Sequence, residues 1–488
     1  MADRVILEAG KTFSEFSLLT DFTSKDCTLQ KISLSSSLGS MKLRLPFMSA
    51  AMTSVTGYEM ALSLGKEGGI GVLPARLPIK EQVEIIEKIK GYEMGFVEDP
   101  IAVRETATID EVVRLVEKHG HSKVPIADRN NVFLGLFSFD KYLEANATPG
   151  ESVTTIMIEP KDLPCSKNPD ISLDEAKNEL TEKNYLVVLD ELGRLVKIAF
   201  RKDVENIAVG AAISTHKGWK NRAKACIDAG ADMIVVDTSD AFNEFTMKVI
   251  KEFKEMNDSI PICVGNIITY DGAKYLMENG ADLVKIGMSS GSICTTQREK
   301  ATGRAPMTAL LDAARARTDF QKDTGKYVRL VIDGGVSAAG DMIIALTVAD
   351  VVMMGGYFNH FFEAEGEKLD ENMQVTNHEP DIKYVATWGE GSARARNLDR
   401  YGHVARKTFF AEGEEGTVEN WGRLKPKLKQ DIRKIKAALS NTGCMNLEEF
   451  RNKAVIELMS TYTQPVSYTH LRAHETEAEL VCRLLLEK

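Results

Sequence analysis

Short apolar runs rich in β-branched residues recur along the chain, each followed by a more polar stretch with helical spacing. In order they are Leu45–Ser49, Gly69–Leu73, Ile207–Ile213, Met233–Asp237, Ile260–Val264, Leu283–Gly287, Val328–Asp333 and Val351–Met354. Near-continuous apolar strands separated by helices predict a parallel sheet covered on both faces. Eight such units predict an α/β fold closed into a (β/α)8 barrel rather than an open, doubly wound sheet.

The interval between Leu73 and Ile207 is too long for one helix, and it holds a weak tandem repeat. Ile109-Asp-Glu-Val-Val and Val124-Pro-Ile-Ala-Asp are echoed by Leu173-Asp-Glu-Ala-Lys and Leu186-Val-Val-Leu-Asp. Each half reads as helix, strand, turn, strand and helix, so residues 98–206 are expected to be two small α+β units set into a barrel loop. The barrel would then comprise residues 1–97 and 207–464. After the eighth strand, residues 363–420 are polar and glycine-rich, and so long a connection reads as a lid or as disorder. A helix follows over Pro426–Leu439, with Leu428, Ile432, Ile435 and Leu439 on one face and Asn441-Thr-Gly as its stop. The tail at 465–488 breaks the pattern and is expected to be read-through or assembly noise rather than a C-terminal helix.

Composition narrows the class. The net charge of −10 over 488 residues disfavours a nucleic-acid partner and favours plain solubility. Met1–Gly10 lacks the basic-then-apolar form of a signal peptide, and no apolar run is long enough to span a membrane. The seven cysteines include no C-x-x-C pair, which disfavours zinc and redox motifs and implies free thiols in a reducing cytoplasm.

Chemistry collects where a barrel enzyme needs it, after the C-terminal ends of the strands. Those positions carry Ser49-Ala-Ala-Met52, Asp237-Thr-Ser-Asp240, Gly265-Asn266, the loop Gly287 to Thr296, Asp333-Gly-Gly335 and Gly355-Gly356. The paired glycines after the seventh and eighth strands let backbone N–H groups approach a phosphate. Asp333 beside them can accept ribose hydroxyls. A free cysteine is ordinarily a small buried hydrophobe, but Cys294 sits in a Gly/Ser-rich loop at the reactive end, which favours a nucleophile. No histidine is near it in sequence, so backbone amides or a helix start after Cys294 would have to activate the thiol. No Gly-x-Gly-x-x-Gly opens a βαβ unit, so a dinucleotide would bind outside a Rossmann domain. The residues alone reach a barrel enzyme acting on a phosphorylated substrate through a cysteine.

These segments resemble one family. Gly291-Ser-Ile-Cys-Thr-Thr296 is similar to the catalytic loop of the IMP dehydrogenases, and Asp333-Gly-Gly335 and Met353-Met-Gly-Gly356 to their ribose and phosphate loops. Asp237-Thr-Ser239 resembles the element that holds NAD, and Trp388 to Tyr401 resembles the mobile flap with its Arg400-Tyr401 pair. The repeat at 98–206 is similar to a CBS (Bateman) pair, which binds adenine or guanine nucleotides in many proteins. The resemblance implies a tetrameric cytoplasmic enzyme that oxidises IMP to XMP with NAD through a bond to Cys294. It implies Arg400 and Tyr401, or a Thr296–Glu412 relay, as the activator of water; an arginine base is awkward because its free pKa exceeds about 12. It places IMP against Met52, Ser292, Asp333, Gly335, Gly355, Gly356, Gly389, Glu390 and Gly391. NAD would lie against Asp237, Thr238, Ser239, Asn266 and Gly287, and a potassium ion on the carbonyls of Ser289, Gly291 and Cys294.

The chain departs from the family pattern in places. Ser289 stands for a glycine of the potassium loop, Gly356 for a side chain that often touches phosphate, and Thr387 for a tyrosine. The tail replaces the C-terminal segment that completes the potassium site, which puts potassium activation in doubt. Two rivals remain at this point. A GMP reductase would share the barrel and the cysteine loop but is expected to lack the insert and the flap. A nucleotide sensor on an inactive barrel would need no cysteine chemistry.

Overall fold

The computed structural model describes residues 5–92, 96–98, 100–119, 123–145, 147–148, 150–180, 185–200, 207–291, 293–397 and 411–460. Arg400, Tyr401, Ser292 and the 465–488 tail lie outside these residues. The chain divides into two units, residues 66–68 with 87–207 and the remainder.

In the larger unit, eight parallel strands close on themselves. They are β1 (Phe47–Ser49), β2 (Ile70–Leu73), β3 (Val209–Ile213), β4 (Met233–Asp237), β5 (Ile262–Ile267), β6 (Leu283–Ile286), β7 (Arg329–Asp333) and β8 (Val351–Met354). β8 pairs with β1 in register Met353 to Met48, which shuts the ring. Nearly every strand residue is buried, as expected where helices cover one face and the barrel interior the other. Alternate positions, among them Met48, Val72, Met233, Val235, Cys263, Leu283, Val331 and Met353, form one apolar cluster filling the barrel.

The two-residue period of a strand extends this inner row upward. Two steps beyond Val235, Cys263, Leu283 and Val331 come Asp237, Gly265, Lys285 and Asp333, so the topmost interior layer is polar. Gly265 is required there: a Cβ on it would lie 2.5 Å from the Cβ of Lys285.

The strand bounds differ slightly from expectation. β1 begins at Phe47 rather than Leu45, because Pro46 has no N–H to pair. β5 runs on through Gly265-Asn266 to Ile267, still pairing with β6.

The 363–420 stretch differs more. Its described part is neither a bare loop nor disorder. β9 (Lys368–Leu369), β10 (Tyr384–Trp388) and β11 (Glu415–Glu419) form an antiparallel sheet, and its charged outer strand hides it from a hydropathy reading. The helix expected at 426–439 covers Leu424–Asn441, its first N–H accepted by the buried Glu363 carboxylate at 3.0 Å.

In the smaller unit the sequence repeat is also a structural one. Helix Ile109–His119 leads into the hairpin Lys123–Ala127 and Phe133–Ser138, and helix Leu173–Glu179 into the hairpin Tyr185–Leu189 and Leu195–Phe200. The turns share one chemistry. Asp128 Oδ1 accepts the N–H groups of Asn130 and Val132, and Asp190 Oδ1 those of Leu192 and Arg194. The two turns touch through a Val132–Arg194 bridge.

Candidate active site

Cys294 is half-buried in the loop after β6, and helix Thr296–Lys300 begins two residues beyond it. Its Sγ lies 3.2 Å from the Thr296 hydroxyl, which donates to Glu412 Oε2 at 3.3 Å. Glu412 Oε1 forms an ion pair with Lys300 at 2.8 Å. Backbone pairing holds this geometry. Thr295 N–H donates to Glu412 O, Glu414 N–H donates to Ile293 O, and Cys294 bridges Gly413. On the other side Glu412 N–H donates to Gly391 O, and Gly389 N–H to Glu414 O. The segment at 412–414 is thus sandwiched between the cysteine loop and the Gly389–Gly391 turn. Gly413 has no room for a side chain, since a Cβ would reach Ser392 N at 3.0 Å. Beside the thiol opens a cleft of about 390 Å³ lined by Ser289, Cys294, Thr295, Gln297, Arg298 and Glu414.

The polar top layer of the barrel adjoins this loop where it leaves β6, and Ser290 Oγ donates to Asp333 O at 3.1 Å. Lys285 Nζ touches Asp237 Oδ1 and Asp333 Oδ2, both at 2.9 Å, and also Asn266 Oδ1. Burial alone would lower the ammonium pKa, but the two carboxylates raise it well above the ordinary lysine value. Asn266 Nδ2 donates to Gly287 O at 2.7 Å and to Asp333 Oδ2 at 3.0 Å. Among the described residues Asp333 Oδ1 has no hydrogen-bond partner. Gly287 and Gly334 both have positive φ, and a Cβ on Gly287 would lie 2.0 Å from Asp333 O. Thr238 exchanges backbone hydrogen bonds with Gly265 and Asn266, and Ser239 is exposed on the rim.

A third cluster ties the β10 sheet to the loop after β1. Glu390 Oε1 accepts from the N–H and hydroxyl of Thr53, at 2.6 and 2.8 Å, and Oε2 pairs with Arg76 at 2.7 Å. Trp388 donates to Thr53 Oγ1 at 2.8 Å. Met52 packs against Gly355, whose missing Cβ would meet its sulfur at 2.7 Å.

Comparison with known proteins matches this chain to a family. The model of the IMP dehydrogenase / GMP reductase domain matches residues 10–470. The inosine-5'-monophosphate dehydrogenase of Tritrichomonas foetus is 32% identical, covering 93% of this chain and 94% of that protein. The chain belongs to the IMP dehydrogenase / GMP reductase family. It is an enzyme of that family, and the Aquifex aeolicus dehydrogenase matches it nearly as fully, at 29% identity over 92% of both chains. In fold, it is similar to GMP reductase from Trypanosoma brucei in complex with guanosine 5'-monophosphate, with a TM-score of 0.66 at 23% identity. That structure corrects one expectation. It covers 96% of this chain, so an insert in the barrel does not separate reductases from dehydrogenases.

The family's expected site residues are distributed over all three clusters. Cys294, Thr296, Glu412, Gly389 and Gly391 come together around the thiol, and Asp237, Asn266, Gly287 and Asp333 around Lys285. Both Glu390 oxygens are taken up by Thr53 and Arg76, which makes this residue an anchor of the β10 sheet. Gly335 is left-handed, with a Cβ-excluding contact to Pro306 at 2.8 Å, and Gly356 opens a single helical turn to Asn359. Ser289, where the family usually has glycine, keeps a left-handed φ of 61° and donates its hydroxyl to Thr302 O at 2.7 Å. Thr387 is buried and accepts from Asn359 at 2.6 Å. Sequence reasoning missed Lys285, Thr53 and Arg76. The signal for Lys285 was present: it is the one charged residue in the apolar run Leu283–Ile286.

Proposed function

We propose that the enzyme oxidises IMP to XMP, with NAD as hydride acceptor, through a covalent intermediate on Cys294. The observation that carries the reading is the chain of contacts from Cys294 Sγ through Thr296 to Glu412, beside an open cleft. The thiolate adds to C2 of the hypoxanthine ring, and the C2 hydrogen leaves with its electron pair to the nicotinamide. The product is a thioimidate, which water then attacks at C2, and the sulfur departs as thiolate. This splits one difficult step into two.

Asp333, through Oδ1, would hold the IMP ribose, with Gly335, Gly355, Gly356 and Ser292 around the phosphate and Met52 and Gly389–Gly391 around the base. Asp237, Thr238 and Ser239 would hold the nicotinamide ribose. The Thr296–Glu412 pair is placed to take the proton of water. Arg400 and Tyr401, outside the described residues, are the other group assigned to that step. Carbonyls at Ser289, Gly291 and Cys294 are hard oxygen donors of the kind potassium takes. The left-handed backbone of Ser289 gives the kink a glycine would, so the residues fit the ion, which would brace the cysteine loop.

The test is the near-ultraviolet absorbance of NADH after IMP and NAD are added. Growth that depends on Cys294 supports the reading. Silence with nucleotide binding retained overturns it in favour of a sensor, and consumption of GMP in its place assigns a reductase. The smaller unit, with its paired hairpins, is proposed as a CBS pair taking an adenine or guanine nucleotide. A cytoplasmic homotetramer completes the proposal. No helix among the described residues is long and apolar enough to cross a membrane.

A further inference from the structure

We propose that Lys285 is a positioning residue that couples the site assigned to the nicotinamide ribose to the site assigned to the nucleotide ribose. The inference rests on the proposed function for what the two carboxylates bind, but the coupling itself rests on geometry.

An ammonium has three N–H donors and no acceptor. Lys285 Nζ has three acceptors in reach, Asp237 Oδ1 from β4, Asn266 Oδ1 from β5 and Asp333 Oδ2 from β7. All its protons are therefore committed within the protein, and with a side chain only 2% exposed it does not itself meet a ligand. It sets the direction of groups that do. The two carboxylates are more open, 28% exposed for Asp237 and 20% for Asp333, and each ends a strand at the barrel mouth. Two like charges on either side of one nitrogen repel each other, and a positive charge on that nitrogen offsets the repulsion. Asn266 closes the network, since its carbonyl faces Lys285 while its amide donates to Asp333 Oδ2 and Gly287 O.

A lysine buried merely to support the fold would have no reason to join two ligand-facing carboxylates on different strands. Gly265 reinforces the point, because the chain gives up a side chain there to admit Lys285. The consequence is reciprocal. A change in the charge or tilt of Asp237 redistributes the ammonium toward Asp333, and so alters nucleotide binding at a residue it does not touch. By linkage the same holds in reverse.

The experiment uses the full chain in a Cys294→Ala background, where IMP binds without turnover, and reads the Kd values for IMP and for NAD by calorimetry. Asp237→Asn is expected to shift the IMP Kd by fivefold or more, although Asp237 belongs to the cofactor side. Lys285→Met is expected to weaken both IMP and NAD by tenfold or more, with Lys285→Arg recovering part of the loss. An IMP Kd unchanged within twofold in Asp237→Asn overturns the coupling whether or not Lys285→Met folds. If the Cys294→Ala parent itself binds no IMP, the functional reading fails first and the inference with it. If the parent binds IMP and only the coupling is missing, the inference alone fails.

Discussion

The Thr296 hydroxyl stands 3.2 Å from the sulfur of Cys294, and its own proton points to the Glu412 carboxylate. A hydroxyl so placed can pass a proton only while Glu412 is an acceptor. Glu412→Gln is therefore expected to leave the first burst of NADH intact and to slow later turnover by about 10²-fold, the usual scale of general-base catalysis. Stopped-flow absorbance separates the two phases. Loss of the burst itself would place Glu412 in the hydride step.

Arg400→Ala gives a matching comparison. In the proposed mechanism hydride transfer precedes hydrolysis, so this variant is also expected to keep its burst and lose steady-state rate. The double variant with Glu412→Gln distinguishes one route from two. If both groups serve the same water, the losses fall short of additive.

Among the described residues, thiol reactivity should single out two cysteines. Burial pushes the Cys226 thiol up to about 11 and the Cys263 thiol up to about 12. Both stay protonated at about pH 8, and a protonated thiol is a poor nucleophile. Iodoacetamide is expected to modify exposed Cys165 and half-buried Cys294, leaving Cys226 and Cys263 untouched. IMP should protect Cys294 alone. Peptide mass mapping reads the pattern, and labelling of Cys263 in the folded protein would contradict the burial.

The far end of the barrel carries stability without chemistry. Buried Asp350 accepts from Arg317 at 3.0 Å, Tyr327 at 3.0 Å and Leu330 N–H at 2.9 Å, and also pairs with Arg451. Asp350→Ala strands these donors and is expected to cost about 3–5 kcal/mol. A lower midpoint in urea with an unchanged KM for IMP is the expected outcome. A raised KM at unchanged stability would tie this end to the site.

The eight barrel strands were legible because parallel strands buried on both faces leave unbroken apolar runs such as Met233-Ile-Val-Val and Leu330-Val-Ile. The cysteine loop and the paired glycines were legible because small residues cluster where the backbone must approach a ligand. The β10 sheet was not, since its strand Glu415–Glu419 is mostly exposed and acidic and pairs with residues about 30 positions away in sequence. Lys285 and Glu390 were hard to place for a related reason. A lysine in a strand and a glutamate in a glycine turn reveal nothing of their partners, which arrive only when distant strands close.

Closure of the ring at β1 and β8 sets a timetable for synthesis. Phe47 and Met48 leave the ribosome with no neighbour on that edge until Val352 and Met353 follow. At roughly 5–20 residues per second, that delay is about 15–60 s. Throughout it, an apolar edge of the nascent polypeptide stays open to chaperones and to chance association.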